Sequence, residues 1–246
     1  MKQAQRLSKV MARCGVASRR ACEALVLAGR VRVNGVVARE VGYHVDPTND
    51  RILLDREPIS TPTLVYYALN KPRGYICSDV GSRTARSLLD AVPDRLFSVG
   101  RLDVDTAGLL LLTNDGDFAH RVLHPSHGVV REYVLKTRAE CTDRQLATLR
   151  DGVQLDGEWI VPLRVQKVRR GTLKIAVGEG KNREVRRLAS ACELFISELT
   201  RIRIGNLTLG NLPAGGWRPL TPGEREAALA PHSALLAKTR SRQLRS

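Results

Sequence analysis

Large rings are scarce in this chain: three Phe, five Tyr and two Trp among 246 residues. An aliphatic core is therefore expected, and each aromatic on a strand becomes a question of packing or function. Cysteine is also sparse, with five residues at 14, 22, 77, 141 and 192, none in a C-x-x-C pair or beside a histidine cluster. That spacing argues against a zinc site or a disulfide framework. No apolar run approaches the roughly 18 residues of a membrane helix. Even the leucine block at 109–112 falls far short, and "MKQAQRLSKVMARCG" has no apolar leader core. The chain is expected to be cytoplasmic and to make no use of membranes. Acids are few as well: 25 Asp and Glu face 40 Lys and Arg, a formal charge of +15. Such an excess repels itself in the compact state, and it fits a polyanionic partner.

Phosphate loops and redox motifs are missing. No G-x-G-x-x-G opens a helix after a strand, and neither G-x-x-x-x-G-K-[ST] nor G-x-S-x-G occurs. No cofactor is expected.

What is present begins at residue 6. Leu7, Val10 and Met11 recur at helical spacing, and Ser18 is a fitting N-cap for a second helix with Ala21, Cys22, Leu25 and Val26 inward. Gly29 stands where that helix should end, and Asn34-Gly35 within "VRVNGVVA" predicts a hairpin. Residues 1–39 carry nine basic residues and one acid, Glu23. Arg19 and Arg20 fall in a first helical turn, where the macrodipole disfavours cations. Helix stability does not explain them, whereas a phosphate bound at the helix start does. A solvated basic face is the plainer alternative.

The stretch "RLSKVMARCGVASRRACEALVLAGRVRVNG", with "SRR" and "GRVRVNG" its most specific parts, resembles the small RNA-binding domain named after ribosomal small-subunit protein S-four, the alpha-L motif. The resemblance implies a module that grips structured RNA through backbone and shape, as the inaccessible major groove of an A-form helix requires. Arg19, Arg20, Arg30 and Arg32 would be its RNA contacts.

Pro47, Pro58 and Pro62 mark the end of this module and a linker. Strands at "LVYYALNKPRGYICS", "LFSVGRL", "REYVLKT", "TLKIAVG" and "LTRIRIGNLTL" then mix with helices near Asp117, over 142–151 and around 183–193. The rhythm is not that of a doubly wound sheet, so the fold class is α+β. The expected domains are residues 4–63, 64–226 and a basic, disordered tail over 227–246.

Three stretches could carry chemistry. In "GRLDVDTAGLLLLTNDG", Arg101 precedes Asp103 and Asp105, which should share a strand face. A salt-bridged strand end, a catalytic acid and a divalent-metal pair all fit, although Arg101 would compete with a metal. In "EGKNREVRRLASAC", Arg183, Arg186 and Arg187 crowd the start of a helix, again the wrong end for cations. Their partner is a buried carboxylate, an RNA phosphate, or a local network with Glu179 and Glu184. In "HPSHGVVREYVL", Tyr133 lies on a strand, where packing is the commoner role, and His124 and His127 read as loop residues.

Together with "LNKPRGYICS" and "LPAGGWRPLT", these stretches resemble the ribosomal-RNA pseudouridine synthases that carry an S-four-like domain in front. The likeness spans residues 4 to 223, and the G-R-L-D-x-x-T-x-G-L-L string is its most specific part. It implies a catalytic domain with a mixed, mainly antiparallel sheet and a central cleft. The implied enzyme detaches the uracil of an extruded uridine, turns it, and rejoins it through C5, without metal or cofactor, acting as a monomer.

By motif match Asp103 is the essential carboxylate, which either attacks C1′ or takes the 2′ proton. Both roles need the ionised form, which an adjacent cation favours. Arg186 matches the family's basic partner of that aspartate, with Arg101 a second candidate. Tyr133 matches the active-site tyrosine against the base, and Leu199 an apolar contact. Arg183 and Arg187 would bind RNA, and the leucine block would exclude water from the cleft. Many relatives have K-x-Y where this chain has Arg131-Glu132-Tyr133, and "REYVL" points to the large-subunit branch. The rivals are a non-catalytic ribosome-assembly factor, a metal-dependent nuclease and a small-subunit rRNA enzyme.

Overall fold

The computed structural model describes residues 4–60, 62–78, 81–92, 95–178 and 180–231. They fall into two compact units, one running to Val65 with Asn114–Gly116 added, the other from Tyr66 to Thr113 and from Asp117 onward.

In the first unit, helices α1 (Leu7–Arg13) and α2 (Arg19–Leu27) lead into an antiparallel sheet. Its strands are β1 (Val31–Val33), β2 (Val36–Val37), β3 (Ile52–Leu54) and β4 (Glu57–Pro58), in the order β2-β1-β3-β4. Leu7, Val10 and Met11 of α1 and Cys22 and Val26 of α2 form one core with Val31, Val33 and Ile52. The Ser18 hydroxyl caps α2 by accepting from the Ala21 N–H at 3.2 Å. Asn34 and Gly35 have φ of 51° and 85°, the paired left-handed residues of a type I′ hairpin. The inner stripe of α2 is narrower than expected: Cys22 and Val26 are buried, Leu25 is half-buried, and Ala21 is exposed.

The second unit is built on a nine-stranded sheet. Its strands are β5 (Tyr66–Lys71), β6 (Phe97–Val99), β7 (Ala107–Thr113), β8 (Arg131–Thr137), β9 (Arg164–Arg169), β10 (Thr172–Val177), β11 (Ile196–Ile204), β12 (Leu207–Thr208) and β13 (Trp217–Pro219). The order β9-β10-β8-β11-β7-β5-β13 is antiparallel except at β11–β7, with β12 beside β11 and β6 beside β7. The fold is α+β, with a mixed and mainly antiparallel sheet.

Leu109 to Leu112 are all buried, so β7 is covered on both faces and its unbroken apolar run is a core strand. Leu109 and Leu111 pack against Phe118, Ala119 and Val122 of helix α3 (Gly116–Leu123) and Ala228 of helix α6 (Pro222–Leu229). Between α3 and α6 lie helices α4 (Asp143–Asp151) and α5 (Glu184–Ala191).

The sequence reading missed α6, β9, β13 and a hairpin pairing Val153–Leu155 with Glu158–Ile160. The expectation of a disordered tail from residue 227 is corrected up to Leu229: a capping box of Thr221 and Glu224 opens α6, and Ala228 anchors it. Residues 232–246, the rest of that tail, lie outside the described residues.

Candidate active site

Asp103, Val104, Asp105 and Thr106 form a turn immediately before β7, closed by a hydrogen bond from the Thr106 N–H to the Asp103 carbonyl at 3.0 Å. A second strap, from the Gly74 N–H to the Val104 carbonyl at 2.7 Å, fixes its tip. The expectation that Arg101, Asp103 and Asp105 alternate along a strand is thereby corrected. The turn presents both carboxylates to one partner.

That partner is the start of α5. Arg183 occupies its N-cap with φ 47° and ψ 30°, a left-handed backbone that costs a non-glycine residue energy. The bend sends the Arg183 guanidinium to Asp103, with Nη1 3.3 Å from Oδ2. One helical turn on, Arg186 spans both acids: Nη1 lies 3.1 Å from Asp105 Oδ2, and Nε lies 3.6 Å from Asp103 Oδ2. Its Nη2 donates to the Asp105 carbonyl at 3.1 Å and to the Thr106 hydroxyl at 3.0 Å. Burial works against the charge on Arg186, and Asp105 offsets it. The cations on Asp103 are thus Arg183 and Arg186. The expectation of Arg101 as its alternative partner is corrected: Arg101 is exposed on the cavity wall and makes no ion pair among the described residues.

Arg101, Asp103, Thr106, Arg183 and Arg186 line a cavity of about 300 Å³. Strands β8 and β11 supply its floor. Tyr133 pairs with Arg201 across the two strands, so their side chains share a face, and Leu199 joins them two residues along β11. Gly108 opposes Arg201 where β7 and β11 run parallel; a Cβ on it would lie 2.2 Å from the Arg201 carbonyl oxygen. Glycine is therefore required there. Leu102, Leu123, Val185 and Leu199 make the apolar wall. The leucine block, expected to shield the cleft, instead fills the sheet core, and Leu109 to Leu112 are not among the residues that line the cavity.

Three buried cations that the sequence reading did not assign to the site surround this floor. Lys71, fully buried at the end of β5, donates to the Pro72 carbonyl at 2.9 Å and the Tyr75 carbonyl at 2.7 Å. Burial lowers its affinity for the proton, while Cys77, Asp105 and Asp103 oppose that shift. Arg131 donates to the carbonyls of Val129, Gly178 and Val122. Arg201 is 3% exposed, and its Nε donates to the Leu109 carbonyl at 2.8 Å. The available signal was period 2: Lys71 follows buried Leu69 at that spacing, and Arg201 follows buried Leu199.

The remaining predicted residues lie apart from the acid pair. Arg187 faces Asp156 at 2.6 Å rather than the cavity. In the first unit Arg19 and Arg20 are exposed in a helix start without an acid. Arg30 instead makes a two-point pair with Asp55, and Arg32 donates to the Gly35 carbonyl at 3.0 Å. Among the described residues no group of three or more His, Cys, Asp or Glu could hold a metal ion, and no helix is long and apolar enough to cross a membrane.

Comparison with known proteins agrees with this architecture. Residues 65–191 match the RNA pseudouridylate synthase family and residues 5–52 the S4 domain. The ribosomal large subunit pseudouridine synthase B of Bacillus subtilis is 37% identical over 239 residues, covering 93% of this chain and 98% of that protein. Its namesake in Vibrio vulnificus is also 37% identical, over 88% of this chain and 72% of that one. A chloroplastic relative in Arabidopsis thaliana, named for the same large-subunit modification, is 40% identical over 230 residues; this chain spans 56% of its length. A crystal structure of a pseudouridylate synthase superposes with a TM-score of 0.67 at 29% identity, over 91% of this chain and 99% of that one. With the acid turn, the arginine helix and the tyrosine floor in one cavity, and these matches over most of its length, the chain belongs to the RNA pseudouridine synthases and carries an S4 domain in front.

Proposed function

We propose that this protein converts a uridine of large-subunit ribosomal RNA to pseudouridine, with Asp103 as the acting carboxylate. The observation that carries this reading is the grouping of Asp103, Arg183 and Arg186 with Tyr133 and Leu199 in one nucleotide-sized cavity. The names of its relatives favour the large subunit.

The target nucleotide leaves its stack, at a cost of a few kcal/mol, and enters the cavity. Arg183 and Arg186 hold the Asp103 carboxylate aimed at the ribose, where it bonds C1′ or takes the 2′ proton. Tyr133 lies along the uracil, and the apolar wall limits attack by water on the opened sugar. The exposed arginines of the S4 domain offset the extrusion cost by holding neighbouring RNA. A single copy of the chain contains all these groups, and none of the steps calls for a cofactor. The enzyme would work in the cytoplasm, where ribosomes assemble.

The test is incubation of the purified protein with large- and small-subunit rRNA transcripts, followed by chemical mapping of pseudouridine. One new pseudouridine in the large-subunit transcript supports the reading. Conversion confined to the small-subunit transcript, or none in either, overturns it.

A further inference from the structure

The three buried cations under the cavity are not equally satisfied. Arg131 is held by three carbonyls and Lys71 by two. Arg201 is held by the Leu109 carbonyl alone among the described residues, and its Nη2 is buried without a hydrogen-bond partner. A buried guanidinium with unmet donors is costly, and such groups persist where something else satisfies them. Arg201 lines the cavity on the same sheet face as Tyr133 and Leu199. Arg201 thus stands beside Tyr133 in the cavity lining with one donor, the buried Nη2, unmet.

Resting on the proposed function, we infer that Arg201 is the base-holding residue of the site, donating to a carbonyl oxygen of the extruded uracil throughout the reaction. When the N1–C1′ bond opens, its electron pair stays on the base and spreads from N1 onto O2 and O4. Asp103 accounts for the ribose side, by bonding C1′ or by taking the 2′ proton. A charged donor placed in advance at a carbonyl oxygen stabilises that negative charge as it develops. C5 then bonds C1′ as the Asp103–C1′ bond breaks, or as Asp103 returns its proton to C2′; the C5 proton departs and N1 is reprotonated, so the product is an isomer of the substrate.

One fixed donor serves both orientations of the base. Turning uracil about its N3–C6 axis exchanges N1 with C5 and also O2 with O4. A donor that meets one carbonyl before the turn meets the other after it. Cytosine has an amino group in place of O4, so at one of the two stages it would set donor against donor. Arg201 thereby excludes cytidine as well as holding uracil.

The experiment measures single-turnover rates of the full-length protein and its Arg201→Met and Arg201→Lys variants on rRNA transcripts carrying uridine, 4-thiouridine or 2-thiouridine at the target. Sulfur accepts hydrogen bonds poorly. The wild type is expected to slow on both thio-substrates. Arg201→Met is expected to lose about 100-fold or more on uridine, as loss of one such donor typically costs 10²–10³. RNA affinity should be unchanged, and the variant should respond little to sulfur, with Arg201→Lys between the two. A variant as sensitive to sulfur as the wild type, or turning over uridine at the wild-type rate, overturns the inference. If neither variant folds, equal wild-type rates on all three substrates overturn it. A wild type that converts no uridine at all contradicts the proposed function, a separate outcome.

Discussion

Arg186 grips Asp105 at 3.1 Å and stops 3.6 Å short of Asp103 with the same guanidinium. One acid thus anchors the arginine, and the other is oriented by it without being saturated. Arg186 Nε is buried and has no hydrogen-bond partner, so the Asp103 carboxylate sits beside a donor to which it is not yet bonded. A carboxylate clamped by two short hydrogen bonds would be a poor reagent. This one keeps lone pairs available for the ribose.

Arg186→Lys should therefore behave as a severe substitution. Lysine keeps the charge but cannot bridge Asp103, Asp105 and Thr106 at once. Turnover is expected to fall about 100-fold, the usual cost of a misplaced reacting group, with RNA binding retained in a gel-shift assay.

Arg183 and Arg187, both read from the sequence as RNA contacts, should separate. Arg183 touches Asp103, whereas Arg187 is paired with Asp156. Arg183→Ala should lower single-turnover rate strongly, and Arg187→Ala should shift thermal stability slightly with near-normal turnover.

In the S4 domain the distinction lies between free and engaged arginines. Arg19→Ala with Arg20→Ala should weaken RNA binding and flatten its dependence on salt, by about 0.7–0.9 in log–log slope per lost phosphate contact. Arg30→Ala should leave that slope nearly intact, because Arg30 is bound to Asp55. A salt titration of binding distinguishes the two.

Much of this was legible in the sequence because it rests on local rules. Ser18, Gly29 and Asn34-Gly35 set the caps and the hairpin of the first unit by chemistry that needs no distant partner. Asp103, Tyr133 and Arg186 were legible only through the family resemblance, and they do line one cavity. What escaped was non-local. Nothing near Arg201 announces that the distant Leu109 carbonyl takes up its charge; Lys71 is met by the nearby Pro72 and Tyr75 carbonyls, and only its burial is non-local. The turn at Asp103–Thr106 resembles a strand when its cross-chain hydrogen bonds are unseen. Helix α6 was lost to a composition argument, although Thr221 and Glu224 are a capping box in the sequence itself.

That cap gives a pH prediction. Two hydrogen bonds from Arg218 and one from the Thr221 N–H pull Glu224 down from the usual carboxylate range to about 2. The folded chain thus holds this charge at pH values where the unfolded chain protonates it. The resulting stability is complete above the ordinary carboxylate range, about 4.5, and is lost as pH falls through about 2. Glu224→Gln should lower the melting temperature at pH 7, and the gap from the wild type should close steadily between pH 4.5 and 2. A gap that is constant with pH would contradict the assignment.

The central claim is that Asp103, and not its neighbour two residues on, engages the ribose. The most direct measurement is pseudouridine formation in large-subunit rRNA by Asp103→Asn and Asp105→Asn, each with RNA binding measured in parallel. Asp103→Asn is expected to give no detectable product with binding intact, and Asp105→Asn, which only loosens Arg186, reduced but measurable product. Residual turnover in Asp103→Asn equal to that of Asp105→Asn would contradict the claim.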